Sequence, residues 1–287
     1  MAEEQYRTII SRYFPELADS PMSLSSGWHS VAVDVDNHLI FKFPKSSEAE
    51  TALKREAAFL AIIRPALTLP VPDMVLLDGP PVFSRHEKLQ GEHLTTTLYE
   101  TLPEQAREHL GRQIARFYCE LHGLVNERMR EAGAQPIEPW FKEDRSDAEI
   151  LSALPITLHE NARQILEDYR NLPPDPYGKT YGFFDGHGWN MAFDAGEEKL
   201  NGIYDFADSG FGDLHQEFIY TNFISADLTG RILAEYEKLT GKSLDRKRIG
   251  LLTAAHRLSE VSETLGDAEQ LVITLEHAID WLSMYSP

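Results

Sequence analysis

The sequence predicts an α+β fold in two lobes, a small antiparallel β-sheet with one helix followed by a larger, mostly helical part. Three observations carry this. Apolar residues alternate with period two at Val31, Val33 and Val35, and a turn at Asp36-Asn37-His38 leads into a second apolar run over 39–43. From Leu102 onward apolar residues recur every three or four positions, as helices require. That pattern breaks once, over 181–213, into short apolar runs separated by Asp, Asn and Gly.

Composition narrows the class of protein. A chain of 287 residues with 42% hydrophobic and 25% charged residues buries a substantial core. Its net charge of −19 argues against a nucleic-acid partner and suits a cationic ligand concentrated in an acidic cleft. The single cysteine, Cys119, excludes an intrachain disulfide and a multi-cysteine zinc site, and its neighbours Ile114, Phe117, Tyr118 and Leu121 place it in helical packing. The acidic start has no apolar leader and no stretch reaches membrane-spanning length, so a cytoplasmic protein without a membrane partner is expected.

Taken in order, residues 4–14 read as a packing helix with Tyr6, Ile9, Ile10 and Tyr13 on one face. The two strands of the first hairpin follow. Lys42 lies inside the second, where an ammonium costs desolvation unless it meets an anion, either a phosphate or a carboxylate. The next helix, 47–63, turns Ala49, Leu53, Ala57, Leu60 and Ala61 inward and carries Glu56, with Glu48 and Glu50 as competing partners for the lysine. A short strand at 74–77 and a second at 82–91 lead into a connector near residue 90.

Beyond it, a long core helix is expected over 108–124, with His122 as a satisfied core or cap histidine. Trp140, Phe141 and a helix over 158–170 are expected to form part of a lid over a pocket, and helices are expected over 216–224, 228–239, 246–265 and 268–285. Tyr220, Phe223, Tyr236, Trp281 and Tyr285 read as core aromatics, and the acidic C-terminal helices as a solvated face.

The stretch YGFFDGHGWNMAFDAGEEKLNGIYDFADSGFGD sets Asp185 ahead of two short strands, 189–193 and 200–204, joined by a turn at 194–199. Such a hairpin brings Asn190 at the entrance of one strand beside Asp205 at the exit of the other. Two oxygen ligands then converge, which suits an octahedral, water-keeping Mg2+ bridging nucleotide phosphates. Asp185 faces that phosphate without ligating the metal, where an acceptor hydroxyl has to be held.

This segment resembles the catalytic loop and metal motif of the aminoglycoside phosphotransferase family, a kinase-like group that also resembles choline, homoserine and fructosamine kinases. Asp185, Asn190, Asp205 and Asp208 match its ordered pattern, and His187 falls where the family's loop carries a histidine. The resemblance spans roughly residues 22–215 and implies a bilobal protein-kinase-like fold, divided into a nucleotide-binding lobe, 1–89, and a catalytic and substrate lobe, 90–287. It implies Asp185 as catalytic base or hydroxyl-orienting group and Asn190 and Asp205 as magnesium ligands. Lys42, Glu56 and the Ser26-Gly27 loop are implied to hold the phosphates of ATP or GTP, and backbone near Glu87 and Leu89 the base. His187 and Asp208 are accessory. An aminoglycoside-like cationic acceptor is the first expectation, with choline, homoserine, a sugar or a macrolide as alternatives. So is a nucleotide-binding regulatory module without turnover. A protein kinase is disfavoured, because no Ala-Pro-Glu run follows Asp205. Two departures stand out: Phe183 occupies the place of a family histidine, and Glu217 the place of an aspartate closing a Gly-Asp-Pro-x-x-Asp run.

Overall fold

The computed structural model describes residues 2–27, 29–141 and 146–284. Trp28 and Tyr285 lie outside them. The first lobe is a five-stranded antiparallel sheet in the order β1-β2-β3-β5-β4, built from β1 (Met22–Ser26), β2 (Ser30–Val35), β3 (Leu39–Pro44), β4 (Val75–Leu77) and β5 (Phe83–Glu87). Asp36 (φ 56°) and Asn37 (φ 52°), both left-handed, open the three-residue turn 36–38 between β2 and β3, a conformation that Asp and Asn tolerate. β1 was not expected from sequence, since this serine-rich edge strand is largely exposed and shows no alternation.

One face of the sheet is apolar. Val33, Val35, Phe41, Phe43 and Phe83 bury it beneath helix α1 (Ala2–Tyr13), where the Tyr6 ring lies 4.8 Å from Phe43 and Tyr13 meets Phe83 edge-on at 5.2 Å. Lys42, one residue out of phase with Phe41 and Phe43, therefore points to the other face. Helix α2 (Ser47–Ile63) starts at Ser46, whose hydroxyl accepts from Ala49 N at 3.2 Å. Its buried stripe is Ala49, Leu53, Glu56, Phe59, Leu60 and Ile63. Ala57 is only half-buried and Ala61 exposed, so the expected inner face was rotated: three- and four-residue steps from Leu53 select Glu56 and Leu60.

The second lobe comprises α3 (Thr96–Thr101), α4 (Glu104–His122), α5 (Asn126–Glu131), α6 (Asp147–Ala153), α7 (His159–Arg170), α8 (Ala226–Thr240), α9 (Arg246–Thr264) and α10 (Ala268–Met284). α4 buries Leu110, Ile114, Phe117, Tyr118 and Leu121 and packs along α8; Cys119 on this helix is only partly covered. A second apolar cluster joins α6, α7, α9 and α10 through Ile150, Ile165, Leu258 and Leu282. No helix among the described residues is long and apolar enough to cross a membrane.

Two small ladders interrupt the helices. β7 (Met191–Asp194) and β8 (Lys199–Ile203) form the expected hairpin, while β6 (Lys179–Gly182) pairs with β9 (Gly210–Asp213). The expected helix over 216–224 is instead two 3₁₀ segments, Leu214–Phe218 and Tyr220–Phe223. Three residues per turn align Leu214, Glu217 and Tyr220 on one side and His215, Phe218 and Thr221 on the next, and all six are buried.

Candidate active site

Lys42 and Glu56 meet between the lobes. The Lys42 ammonium lies 3.1 Å from both Glu56 oxygens and 2.9 Å from Asp205 Oδ1. Glu56 Oε1 also accepts from Phe206 N at 3.0 Å, so one buried carboxylate ties the small-lobe lysine to the backbone that carries Asp205. Burial opposes the charge on Lys42, yet Glu56 and Asp205 together hold its ammonium above the ordinary lysine value.

The β7–β8 hairpin places the polar triad. Asn190 sits in a 3₁₀ turn (Gly188–Asn190) immediately before β7 rather than within the strand, and its carbonyl accepts from Tyr204 N at 3.0 Å, bringing Asp205 alongside. Asn190 Nδ2 donates to Asp185 Oδ2 at 2.7 Å and to the Asp185 carbonyl at 3.0 Å. Burial first, then the Asp208 and Asp205 carboxylates, hold the Asp185 carboxyl well above its ordinary value. Asp208, five residues beyond the end of β8, is raised in the same direction by burial and by Asp205.

The backbone here is unusual. Phe184 (φ 53°) and Asp205 (φ 70°) are both left-handed, a region that costs a non-glycine residue about 1–3 kcal/mol unless its surroundings enforce it. For Phe184 the enforcing group is Glu217, whose two oxygens accept from Phe183 N and Phe184 N at 2.9 Å each. The phenyl ring of Phe183 packs 4.8 Å from Phe206. His187 Nε2 approaches Asp185 Oδ1 at 3.7 Å, and its ring stacks between Trp189 at 3.9 Å and Phe223 at 5.2 Å. Burial and the nearby His256 and Arg257 keep His187 neutral, far below the ordinary histidine value.

Two compartments meet at Asp185. On the sheet side, a cleft of about 610 Å³ is lined by Leu24, Ala32, Ile40, Leu89, Trp189 and Tyr204. It adjoins a pocket of about 430 Å³ walled by Gly27, Lys42, Glu56, Asn190, Asp205 and Asp208. On the helical side lies a cavity of about 540 Å³ lined by Glu138, Trp140, His187, Asp208, Tyr220 and Glu263, among others. Asp185 borders this cavity and the 430 Å³ pocket beside Lys42 alike.

Of the residues singled out from sequence, Gly27, Lys42, Glu56, Leu89, Asp185, His187, Asn190, Asp205 and Asp208 border these spaces. Ser26 and Glu87 do not: Ser26 turns outward to Lys45 Nζ at 2.8 Å, and Glu87 is exposed while His86 and Lys88 line the cleft. Trp140 walls the cavity as expected, but α7 packs on α9 and contributes no lining residue. Sequence reasoning missed Lys45, which also bonds the Gly27 carbonyl, Arg55 in the helical-side cavity, and the work of Glu217. Only Glu217 left a signal, as a mismatch at a family position.

The donors present fit magnesium. Asn190 Oδ1 and the Asp205 carboxylate offer hard oxygen donors beside a lysine, and no group of three or more His, Cys, Asp or Glu placed to hold a metal ion occurs among the described residues. Asn190 and Asp205 would hold such an ion, a two-donor set that suits a cation which keeps much of its water.

A small β-lobe with a lysine–glutamate pair, set over a hairpin flanked by Asp185, Asn190 and Asp205, defines the class of kinase-like phosphotransferases. The family model described as the phosphotransferase enzyme family (APH) matches residues 22–252, and the chain belongs to this aminoglycoside phosphotransferase family. Among solved structures, the GDP complex of wild-type aminoglycoside 2'-phosphotransferase-IIIa superposes with a TM-score of 0.83 at 20% identity, covering 99% of each chain. A GDP and kanamycin complex of APH(2")-IIIa gives 0.78 at 18% identity over 98% of this chain and 99% of that one. Macrolide 2'-phosphotransferase type I gives 0.69 at 16% identity over 96% of each. At these identities the likeness establishes the fold.

Proposed function

We propose that this protein transfers the terminal phosphate of ATP or GTP to a hydroxyl of a small, cationic, aminoglycoside-like molecule in the cytoplasm. The reading rests above all on Asp185, a carboxylate oriented by Asn190 at 2.7 Å where the phosphate-side pocket and the helical-side cavity meet.

Lys42 and the backbone of the Gly27 loop hold the nucleotide phosphates, with Glu56 fixing the lysine. The hinge around Leu89 receives the base. Asn190 and Asp205 hold magnesium, which neutralises charge on the transferring group when bound. Asp185 orients the acceptor hydroxyl and takes its proton; a raised carboxyl suits a base that has to accept one. Asp208 and Glu138 bring negative charge to the acceptor cavity, and Trp140 offers a flat apolar wall to a ring. Asp208 and Asp205 both raise the Asp185 carboxyl and Asp205 raises Asp208, a crowding of negative charge that favours a positive group beside the reacting hydroxyl.

The test is consumption of ATP and of GTP by the purified protein with magnesium, across aminoglycosides, macrolides, choline, homoserine and sugars. Stimulation by a cationic polyol and its loss on chelation support the reading. Nucleotide binding that no acceptor converts to turnover overturns it.

A further inference from the structure

Glu217 does not act alone on the catalytic loop. Its carboxylate is fully buried, and besides Phe183 N and Phe184 N it meets a third group, His122 Nε2, at 3.1 Å. The other ring nitrogen, His122 Nδ1, lies 2.9 Å from the hydroxyl of Tyr236, which is itself buried. We propose that Tyr236, His122 and Glu217 form a hydrogen-bonded chain that holds the backbone ahead of Asp185, making His122 and Tyr236 positioning residues for phosphoryl transfer.

The direction of the chain follows from donor chemistry. An ionised carboxylate only accepts, so His122 Nε2 carries the hydrogen toward Glu217. In the neutral ring Nδ1 is then an acceptor and takes the Tyr236 O–H. Donation runs from α8 through α4 to Glu217, which in turn receives both loop amides. Those amides flank the left-handed Phe184, a conformation that persists only where it is over-determined.

α4 supplies a second support one turn earlier. The Tyr118 ring lies parallel to His122, 6.0 Å away at 5°, and its hydroxyl sits under Gly186, where a Cβ would come within 2.3 Å of it. Positions i and i+4 of one helix face thus seat the loop on both sides of Asp185. Neither His122 nor Tyr236 lines the cleft or the cavities, so neither touches donor or acceptor. The competing explanation is simple glue between α4 and α8, which affects stability alone.

The inference rests on Asp185 as the reacting-site carboxylate, so the test separates the two ideas. In the full-length protein, His122→Phe, Tyr236→Phe and His122→Gln are compared with wild type. Measured are amide exchange at Phe183 and Phe184, imidazole nitrogen shifts of His122, affinity for ADP and GDP, and magnesium-dependent consumption of ATP and GTP. Wild type should show the neutral Nε2–H form of His122. His122→Phe should speed exchange at those two amides by about tenfold with the rest of α4 unchanged. It should lower kcat on the order of 10²-fold, the effect of a displacement near 1 Å, with nucleotide affinity held. His122→Gln, which keeps a donor, should recover part of the rate.

Unchanged exchange at Phe183 and Phe184, a His122 ring protonated on Nδ1, or a rate loss that only follows global unfolding overturns the proposal. Wild-type protein with the expected exchange and tautomer but no turnover with any acceptor overturns the phosphotransferase reading, and with it the catalytic role of the chain.

Discussion

Asn190 donates to Asp185 twice, through one Nδ2 that reaches the side-chain Oδ2 at 2.7 Å and the backbone carbonyl at 3.0 Å. Under the proposed function, the amide whose oxygen would serve a metal also fixes the rotamer of the carboxylate that would face the acceptor. Asp185→Asn keeps the shape of this pair and removes the proton acceptor. Turnover should fall by about 10²- to 10⁴-fold, the usual worth of a positioned base, while nucleotide affinity is retained. Steady-state kinetics beside calorimetric nucleotide titration checks this; full turnover in the variant excludes the role.

The same substitution should change stability with pH. The Asp185 carboxyl is raised in the folded protein by burial, Asp208 and Asp205. A raised carboxyl binds its proton more tightly folded than unfolded, so its contribution is fully present below about pH 4, the unfolded value, and is lost as pH rises through the folded value. Without magnesium, Asp185→Asn should gain on wild type in urea unfolding as pH goes from acid to neutral. A pH-independent difference between the two would contradict the assigned shift.

Lys42 is predicted to stabilise the lobe interface as well as bind phosphate. Lys42→Met leaves Glu56, 2% exposed, without its cation, a loss of about 3–5 kcal/mol for a broken buried pair. Pairing it with Glu56→Leu should restore most of that stability without restoring nucleotide binding. Denaturant midpoints and calorimetry distinguish the two effects.

Gly182 lies against the clamp, where a Cβ would stand 2.1 Å from Glu217 Oε2 and 2.8 Å from the Phe184 ring. Gly182→Ala should therefore displace Glu217 and lower both melting temperature and kcat, whereas Gly230→Ala, with nothing within 4 Å, should leave kcat unchanged. Equal behaviour of the two variants would remove the steric argument.

Trp189 is 54% exposed yet stacked on His187, and it borders both the sheet-side cleft and the adjoining pocket. Nucleotide binding should quench the protein's tryptophan fluorescence, and Trp189→Phe should abolish most of that signal. Persistence of the quench in the variant would place the nucleotide elsewhere.

Part of the site is legible in the sequence. Lys42 announced itself as a charge inside an apolar strand, and Asp185, Asn190 and Asp205 by their order around a turn. Glu56 could have been separated from Glu48 and Glu50, since it alone falls three residues after Leu53 and four before Leu60, on the buried stripe. β1 and the β6–β9 ladder left little pattern, being a serine-rich exposed edge and two four-residue strands paired across about thirty residues of chain.

What the sequence determined by itself is therefore the local chemistry: periodicity sets each helix and strand, and adjacent residues set the turn that joins Asn190 to Asp205. What only the tertiary structure decided is how distant groups share one point. His122, Glu217 and Tyr236, separated by 95 residues on one side and joined through α4 and α8, have no local pattern linking them. The walls of the helical-side cavity likewise come from separate segments, including α2, the stretch around Trp140 and α9. Local order is dictated by short-range backbone preference, but the pairing of buried polar groups is settled only when the core closes and each must find a partner.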